Sequence, residues 1–263
     1  MWGLWLHPFP IDCASDPKEV RLPDVTLIVF AFLTSLTAAI GGIAGGVILI
    51  SVMPGFLPDA AIVPIHGVVQ IASNVSRALF GFQHIEWRIV QVYAAGAALG
   101  ALIGSQLVPL ISWDNMPAIL GSFILLFTWM PKIGSAPSLP GKFAVLGLFQ
   151  ACLSLFIGIA GPLNMPFLLR ENLGRDRTVI THSVQMTFMH SVKVVTFGIL
   201  GFAFWPYWKL VTGMVIAASA GSWLGTRIRG KIPEEIFRIG IKFLITVLAF
   251  RMILRATLFP ELP

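Results

Sequence analysis

The chain has 263 residues, of which 56% are hydrophobic and only 11% are charged, and its formal net charge at pH 7 is +6. Soluble domains carry about 25% charged residues, so this composition excludes an ordinary soluble domain and predicts an all-α polytopic membrane protein, because backbone groups in a bilayer must be satisfied within helices. In such a protein a positive charge indicates cytoplasmic loops rather than a nucleic-acid partner.

Residues 1–23 are interpreted as a short N-terminal tail, because they lack the basic start and the apolar core of a signal peptide. About eight apolar segments follow, most of them near the ~20 residues that one bilayer crossing needs. No stretch outside these segments is long enough for a soluble domain, so any substrate site is expected between the helices. The expected segments are residues 24–53, 59–81, 87–110, 116–131, 142–169, 177–203, 208–228 and 234–258.

The chain contains an internal repeat. The tetrapeptide GIAG at residues 42–45 recurs at residues 158–161, an offset of 116 residues. The sequence therefore predicts two homologous repeats, at residues 24–131 and 142–263, joined by a Pro-, Gly- and Ser-containing linker at residues 132–141. The same offset of 116 relates three further pairs of polar residues: His66 and His182, Asn74 and His190, and Arg77 and Lys193.

The loops of the two repeats differ in charge. Two loops of repeat 1, PGFLPD and ISWDNMP, contain no Lys or Arg, whereas the matching loops of repeat 2 contain six. Because Lys and Arg mark cytoplasmic loops, the two sets of loops are expected on opposite sides of the membrane, and the repeats are expected to be inverted. Four plain crossings per repeat would leave the repeats parallel, so one segment in each repeat is expected to be interrupted.

The first segment of each repeat contains a glycine-rich motif, GGIAGG at residues 41–46 and GIAGP at residues 158–162. Each glycine inside a helix costs about 1 kcal/mol relative to alanine, so we expect broken helices at both motifs. In repeat-built transporters the half-helix N-termini at such breaks bind anionic groups, and Pro162 suits the first turn of a half-helix. The alternative is that these glycines only allow close helix packing.

Each repeat also carries polar residues at helical spacing within an apolar segment. In repeat 1, His66, Gln70 and Arg77 share one face, and in repeat 2 Lys193 has about ten apolar residues on its far side. A charge inside the bilayer is expensive, and a cavity with cations but without Asp or Glu suits an anion. Histidine can also carry a coupling proton near neutral pH. The alternative is that the histidines only hydrogen-bond across a packed helix pair.

The candidate substrate-binding residues combine the helix breaks with these polar faces. Glycines would mark the helix termini, Arg77 and Lys193 would neutralise the anion, and amide side chains would donate hydrogen bonds. Cys13 and Cys152 indicate neither a disulfide framework nor a metal site, and we predict no cofactor. The full candidate set is Gly45, Gly46, His66, Gln70, Asn74, Arg77, Gly161, Pro162, Asn164, His182, Gln185, His190 and Lys193.

The order of these motifs resembles that of a known family. Each glycine-rich break precedes a polar segment, a Trp-bearing turn (HIEWR, FWPYW) and a glycine-spaced helix (GAALGALIGSQL, AASAGSWLGTRI), which is similar to the TauE/SafE sulfite exporter family over most of residues 24–258. The resemblance implies a multi-pass permease of the bacterial plasma membrane that carries sulfur-containing anions, such as sulfite or organosulfonates, and is not an enzyme. His66 and His182 stand where that family more often has small residues, which leaves the substrate and the coupling ion open.

The leading hypothesis is a secondary transporter that works by alternating access, with proton coupling as an option. Its partners would be a small sulfur anion and the lipid bilayer. An anion channel with the same pore residues is one alternative. An intramembrane enzyme with His66, His182 and His190 as metal ligands is another, although the sequence offers neither a carboxylate ligand nor an H-x-x-x-H spacing for it. The segments GALIG and AGSWLG suit helix packing either within one chain or in a homodimer.

Overall fold

The computed structural model describes residues 22–41, 45–110, 116–129, 141–158, 161–229 and 234–258. Within these ranges the chain is helical and has no strand, which agrees with the all-α prediction. The helices are α1 (Leu22–Gly41), α2 (Gly45–Val52), α3 (Asp59–Phe80), α4 (Trp87–Leu107), α5 (Met116–Trp129), α6 (Lys142–Ile157), α7 (Met165–Leu169), α8 (Arg175–Ile199), α9 (Trp208–Ile228) and α10 (Glu234–Leu258).

Two of the predicted apolar segments are divided in the structure, and both divisions fall at the glycine-rich motifs. The segment 24–53 forms α1 and α2, and the segment 142–169 forms α6, a short 3-10 turn at Gly161–Leu163, and α7. Residues 42–44 and 159–160 of the two motifs lie outside the described residues, as do the predicted linker apart from Gly141 and residues 1–21 of the tail. The breaks are therefore where the glycine content places them.

Two of the described helices are long and apolar enough to cross a membrane when they are judged by length and composition alone. They are Asp24–Gly41 in α1 and Trp87–Leu107 in α4. Applied to the described residues, this criterion does not recover the eight crossings expected from the sequence, and α6 ends after 16 residues at its break.

Helix α2 turns back along α1 instead of continuing it. A Cβ atom at Gly45 would overlap the carbonyl oxygen of Thr34 and lie 2.5 Å from the Cβ of Ala38. The first residue of α2 is therefore pressed against the second half of α1, which only a glycine permits. From there α2 enters the main apolar core, where Leu49, Ile50 and Met53 are fully buried.

Each glycine-spaced helix packs on the first helix of the other predicted repeat. A Cβ at Gly221 or Gly225 of α9 would overlap or crowd the carbonyl oxygens of Phe32 and Leu36 in α1, so α9 and α1 run parallel in close contact. Helix α4 meets α6 in the same way, since Gly96 and Gly100 lie on the carbonyl groups of Ala144 and Leu148. These glycines therefore pack helices within one chain. They are not exposed for the homodimer contact that the sequence analysis kept as an alternative.

Two pairs of helices that correspond in the predicted repeats, α3 with α8 and α5 with α10, run antiparallel in contact. Gly67 of α3 lies against Lys193 of α8, whereas Gly81, which directly follows α3, lies against Ile180, which is nearer the start of α8. Helices α5 and α10 are also antiparallel, because Gly121 lies against Ala249 and the Trp129 Nε1 donates to Thr246 Oγ1 at 3.1 Å. The α3 and α8 pair brings the two polar faces together.

Candidate functional site

The polar faces predicted on two segments lie on α3 and α8 and are buried. His66, Gln70, Asn74 and Arg77 of α3 are 0–4% exposed, and the candidate residues of α8 are 0–5% exposed. None of the buried side chains in the described part of the chain is an Asp or Glu. The interior therefore holds basic and neutral polar groups without a buried carboxylate to balance them. The α8 residues are His182, Gln185, His190 and Lys193.

The two repeat-related histidines make matching contacts at the two breaks. His66 Nε2 donates to the carbonyl oxygen of Gly46 at 2.9 Å, and His182 Nε2 donates to that of Gly161 at 3.1 Å. A carbonyl oxygen only accepts, so the proton of each neutral ring is on Nε2 and Nδ1 is the bare nitrogen. Both Nδ1 atoms are buried and have no hydrogen-bond partner among the described residues. Each ring thus keeps one basic nitrogen available inside the protein.

The two repeat-related basic residues reach the ends of the helices that precede the breaks. Arg77 donates from Nη1 to Ala38 O in the last turn of α1 at 3.1 Å, and Lys193 donates from Nζ to Gly158 O at the end of α6 at 2.9 Å. A helix C-terminus has unpaired carbonyl groups and partial negative charge, so a cation is favourable there. The sequence predicted charge for an anion at these positions, and the structure adds a helix-capping contact.

Asn74 and His190, the third predicted pair, lie beside these groups. The Oδ1 of Asn74 accepts from Arg77 Nη2 at 2.6 Å, while its Nδ2 donates to Gln70 O. The ring of His190 meets the ring of His66 edge-on, with a centroid distance of 5.6 Å, and its Nδ1 has no partner among the described residues. The structure therefore brings the polar residues of α3 and α8 into one interior region.

An amide pair lies at the break of repeat 2. Asn164, just before α7, donates from Nδ2 to Gln185 Oε1 on α8 at 2.5 Å. Both side chains are fully buried. The second polar atom of each amide, Asn164 Oδ1 and Gln185 Nε2, has no hydrogen-bond partner within the described residues.

The predicted glycines have different surroundings. Gly46 faces α3, since a Cβ there would lie 3.1 Å from Gln70 Oε1 and 3.5 Å from His66 Nε2. Gly161 faces α8, with Met186 and His182 as neighbours. Gly45 instead lies against α1, as described above. Pro162 is in the 3-10 turn Gly161–Leu163 rather than in α7, which starts at Met165.

Two groups near the site were absent from the sequence-based set. Arg229, after α9, is 6% exposed, donates from Nε to Ala39 O at 2.7 Å and pairs with Asp176 at 3.2 Å. Its sequence context, RIRGK, indicates only a basic loop. Ser222 of α9 shares hydrogen bonds with the hydroxyl and the carbonyl of Ser73. In the sequence, Ser222 is marked only as a small polar residue between two packing glycines.

The histidines of the metal-enzyme alternative do not form a ligand cluster. Across the described ranges, no group of three or more His, Cys, Asp or Glu side chains is placed to hold a metal ion. The Nε2 atoms of His66 and His182 are instead engaged by backbone carbonyl groups.

Comparison with known proteins gives one result. A family model described as Sulfite exporter TauE/SafE matches residues 27–252, which is most of the chain. No curated protein and no solved structure matches it.

Proposed function

Because this chain belongs to the TauE/SafE sulfite exporter family, a family of membrane transporters, we propose that it is a multi-pass secondary transporter of the plasma membrane. It carries small sulfur-containing anions, such as sulfite or organosulfonates, by alternating access. The broken helices and the polar faces of α3 and α8 form its substrate path.

The observation that carries the proposal is the buried positive charge. Arg77 is 3% exposed and Lys193 is fully buried, and the buried residues of the described ranges include no Asp or Glu. Both cations are held by helix carbonyl groups, which are dipoles and leave the net charge in place. A site of this kind favours a transient anion over a cation, for which acidic side chains would be expected.

The packing of the helices supports inverted repeats at residues 24–131 and 142–263. Helices α3 and α8 are equivalent by the offset of 116 residues and run antiparallel, and α1 and α6 are each followed by a break. Two such halves can rock against each other around a site at their interface, which is the usual route to alternating access in repeat-built transporters. The polar residues of α3 and α8 lie at that interface.

The histidines supply a route for proton coupling. Protonation of Nδ1 in His66 or His182 adds a positive charge and an N–H donor in the interior without breaking the Nε2 bond to the glycine. An entering anion would favour that protonated form, so proton and anion would bind together. The direction of net anion transport would then depend on the pH gradient across the membrane.

The test is flux in proteoliposomes that contain the purified chain. We expect uptake of radiolabelled sulfite to be accelerated by unlabelled sulfite on the opposite side and to respond to an imposed pH gradient. Chloride and acetate, which lack the sulfur oxyanion, serve as controls and are expected to move slowly. Sulfite flux that shows no counterflow and does not change with the pH gradient would favour an anion channel. No movement of any sulfur anion would contradict the proposed function.

A further inference from the structure

The amide pair at the break of repeat 2 has one donor and one acceptor without a partner among the described residues. Asn164 and Gln185 make a single hydrogen bond to each other, which uses one polar atom of each amide. If the amide nitrogen and oxygen positions are exchanged in both side chains, Gln185 becomes the donor and Asn164 the acceptor. One NH2 group and one C=O group are then again outside the hydrogen bond. Both side chains are fully buried, and the two remaining atoms have no partner among the described residues.

The matching positions of repeat 1 are occupied by apolar residues instead of amides. The offset of 116 places Ile48 and Val69 at the positions of Asn164 and Gln185, and both are buried. Repeat 1 nevertheless has a broken helix and the matching histidine-to-glycine bond, from His66 to Gly46 O. A break with the same type of histidine contact therefore forms with apolar residues at these two positions, whereas amides with unpaired polar atoms in their place cost stability. Within the described residues, the amides of repeat 2 therefore offer two unpaired polar atoms to a ligand.

The pair also lies beside the predicted proton carrier. Gln185 follows His182 by one turn of α8, and Asn164 follows Gly161 by three residues, so the amide bond and the histidine-to-glycine bond join the same two segments. A ligand on the free amide atoms is therefore within about one helical turn, or ~5 Å along α8, of the histidine.

We propose that the amide pair recognises its anion in the singly protonated form, as hydrogen sulfite. The hydroxyl of hydrogen sulfite donates to the free amide oxygen, and one of its charged oxygens accepts from the free NH2 group. Sulfite dianion and sulfonates offer only acceptors, so they leave the amide oxygen unpaired or place it against negative charge. This inference rests on the proposed function and names the ionic form that the same site selects.

The experiment measures binding of sulfite and of methanesulfonate to the purified full chain in detergent between pH 6 and pH 9, by calorimetry. Methanesulfonate has no hydroxyl and stays a monoanion over this range, so it reports any effect of protein protonation on anion binding. We expect sulfite to bind at least about tenfold more tightly than methanesulfonate at pH 6. The ratio of the sulfite affinity to the methanesulfonate affinity should fall by up to about tenfold per pH unit once the sulfite dianion predominates.

The decisive variant replaces the amides with the pair found in repeat 1, Asn164→Ile with Gln185→Val. It is expected to be as stable as the wild type without ligand, because both partners of the hydrogen bond are removed together. It should bind sulfite and methanesulfonate equally at every pH. Gln185→Met is the second variant if the double change does not fold, and Gln150→Met is the matched control. Gln150 is also fully buried, but its Oε1 accepts from Tyr93 at 2.8 Å, so its replacement should leave the ratio unchanged.

Failure of hydrogen sulfite recognition and failure of the transporter function give different results in this experiment. Equal binding of both anions to the wild type, or a preference for sulfite that survives in both amide variants, would overturn the recognition of hydrogen sulfite and leave the anion transporter standing. Absence of binding by either anion to the wild type would overturn the transporter assignment together with it.

Discussion

His66 and His182 lie 116 residues apart and make the same contact, each donating from Nε2 to the carbonyl of a glycine at a helix break. The rings hold the segments after the breaks against α3 and α8, and they do so with one nitrogen. The other nitrogen is left without a partner among the described residues. This division between a structural nitrogen and a free nitrogen can be tested, because a glutamine side chain reproduces the first and not the second.

We expect His182→Gln to bind sulfite but to lose most of its response to a pH gradient. The glutamine NH2 group can reach Gly161 O as Nε2 does, whereas an amide does not accept a proton near neutral pH. The measurement is initial sulfite flux in proteoliposomes with and without the gradient. His84→Gln, in the partly exposed turn Phe82–His84, is the control. A full gradient response in both His182→Gln and His66→Gln would contradict proton coupling through these rings.

Lys193→Met is expected to remain folded and to bind sulfite at least about thirtyfold more weakly, since removal of one partner of a buried charge pair costs about 2 kcal/mol or more. The methionine keeps the length of the side chain but loses the ammonium that caps Gly158 O. Calorimetric binding and sulfite flux both report the change. Lys209→Met serves as the control, because Lys209 lies at the start of α9 beside Trp208. Normal flux by Lys193→Met would remove this residue from the site.

The neighbouring glycines Gly45 and Gly46 should respond differently to alanine. At Gly45 the new methyl would overlap the backbone oxygen of Thr34, which cannot move without shifting α1. At Gly46 it would meet the Gln70 side chain at 3.1 Å, which can rotate away. We therefore expect Gly45→Ala to lower the melting temperature in detergent by several degrees, and Gly46→Ala to keep it while weakening anion binding. The reverse order of the two melting temperatures would contradict the packing of α2 on α1.

The glycine-spaced helices give a prediction about stability alone. Gly100→Ala and Gly221→Ala place a methyl on the carbonyl groups of Leu148 and Phe32, so both are expected to destabilise the protein. Gly198→Ala, at an open position near the end of α8, is the matched control and should leave stability unchanged or raise it by up to about 1 kcal/mol. Thermal unfolding in detergent distinguishes them. Equal behaviour of all three variants would contradict the close contacts of α4 with α6 and of α9 with α1.

Much of the fold could be predicted from the sequence, because glycine content and hydropathy act locally. The breaks after α1 and α6 follow from the cost of glycine within a helix, and His66 and His182, which the sequence relates by an offset of 116 residues, each contact a glycine carbonyl at one of these breaks. The burial of Lys193 was also indicated by its distance from the end of its apolar segment.

The partners of these residues could not be predicted, because they depend on where separate segments meet. The sequence marks Lys193 as a buried cation but does not reveal that the end of α6 lies in reach of it. Asn164 and Gln185 were expected to donate hydrogen bonds to substrate separately, and the crossing of α8 by the segment before α7 pairs them with each other. Arg229 carried no signal beyond a basic loop, since its contact with Ala39 spans most of the chain.

The close contact of α9 with α1 has a consequence for biosynthesis. Phe32 and Leu36 are synthesised before Gly221 and Gly225, which pack on them and follow about 190 residues later in the chain. At a synthesis rate of ~5–20 residues per second this interval is roughly 10–40 s. During that time the groove on α1 that receives α9 must be covered by lipid or by the insertion machinery. The close contact of α9 with α1 therefore forms only after α9 has been synthesised, late in the synthesis of the described chain.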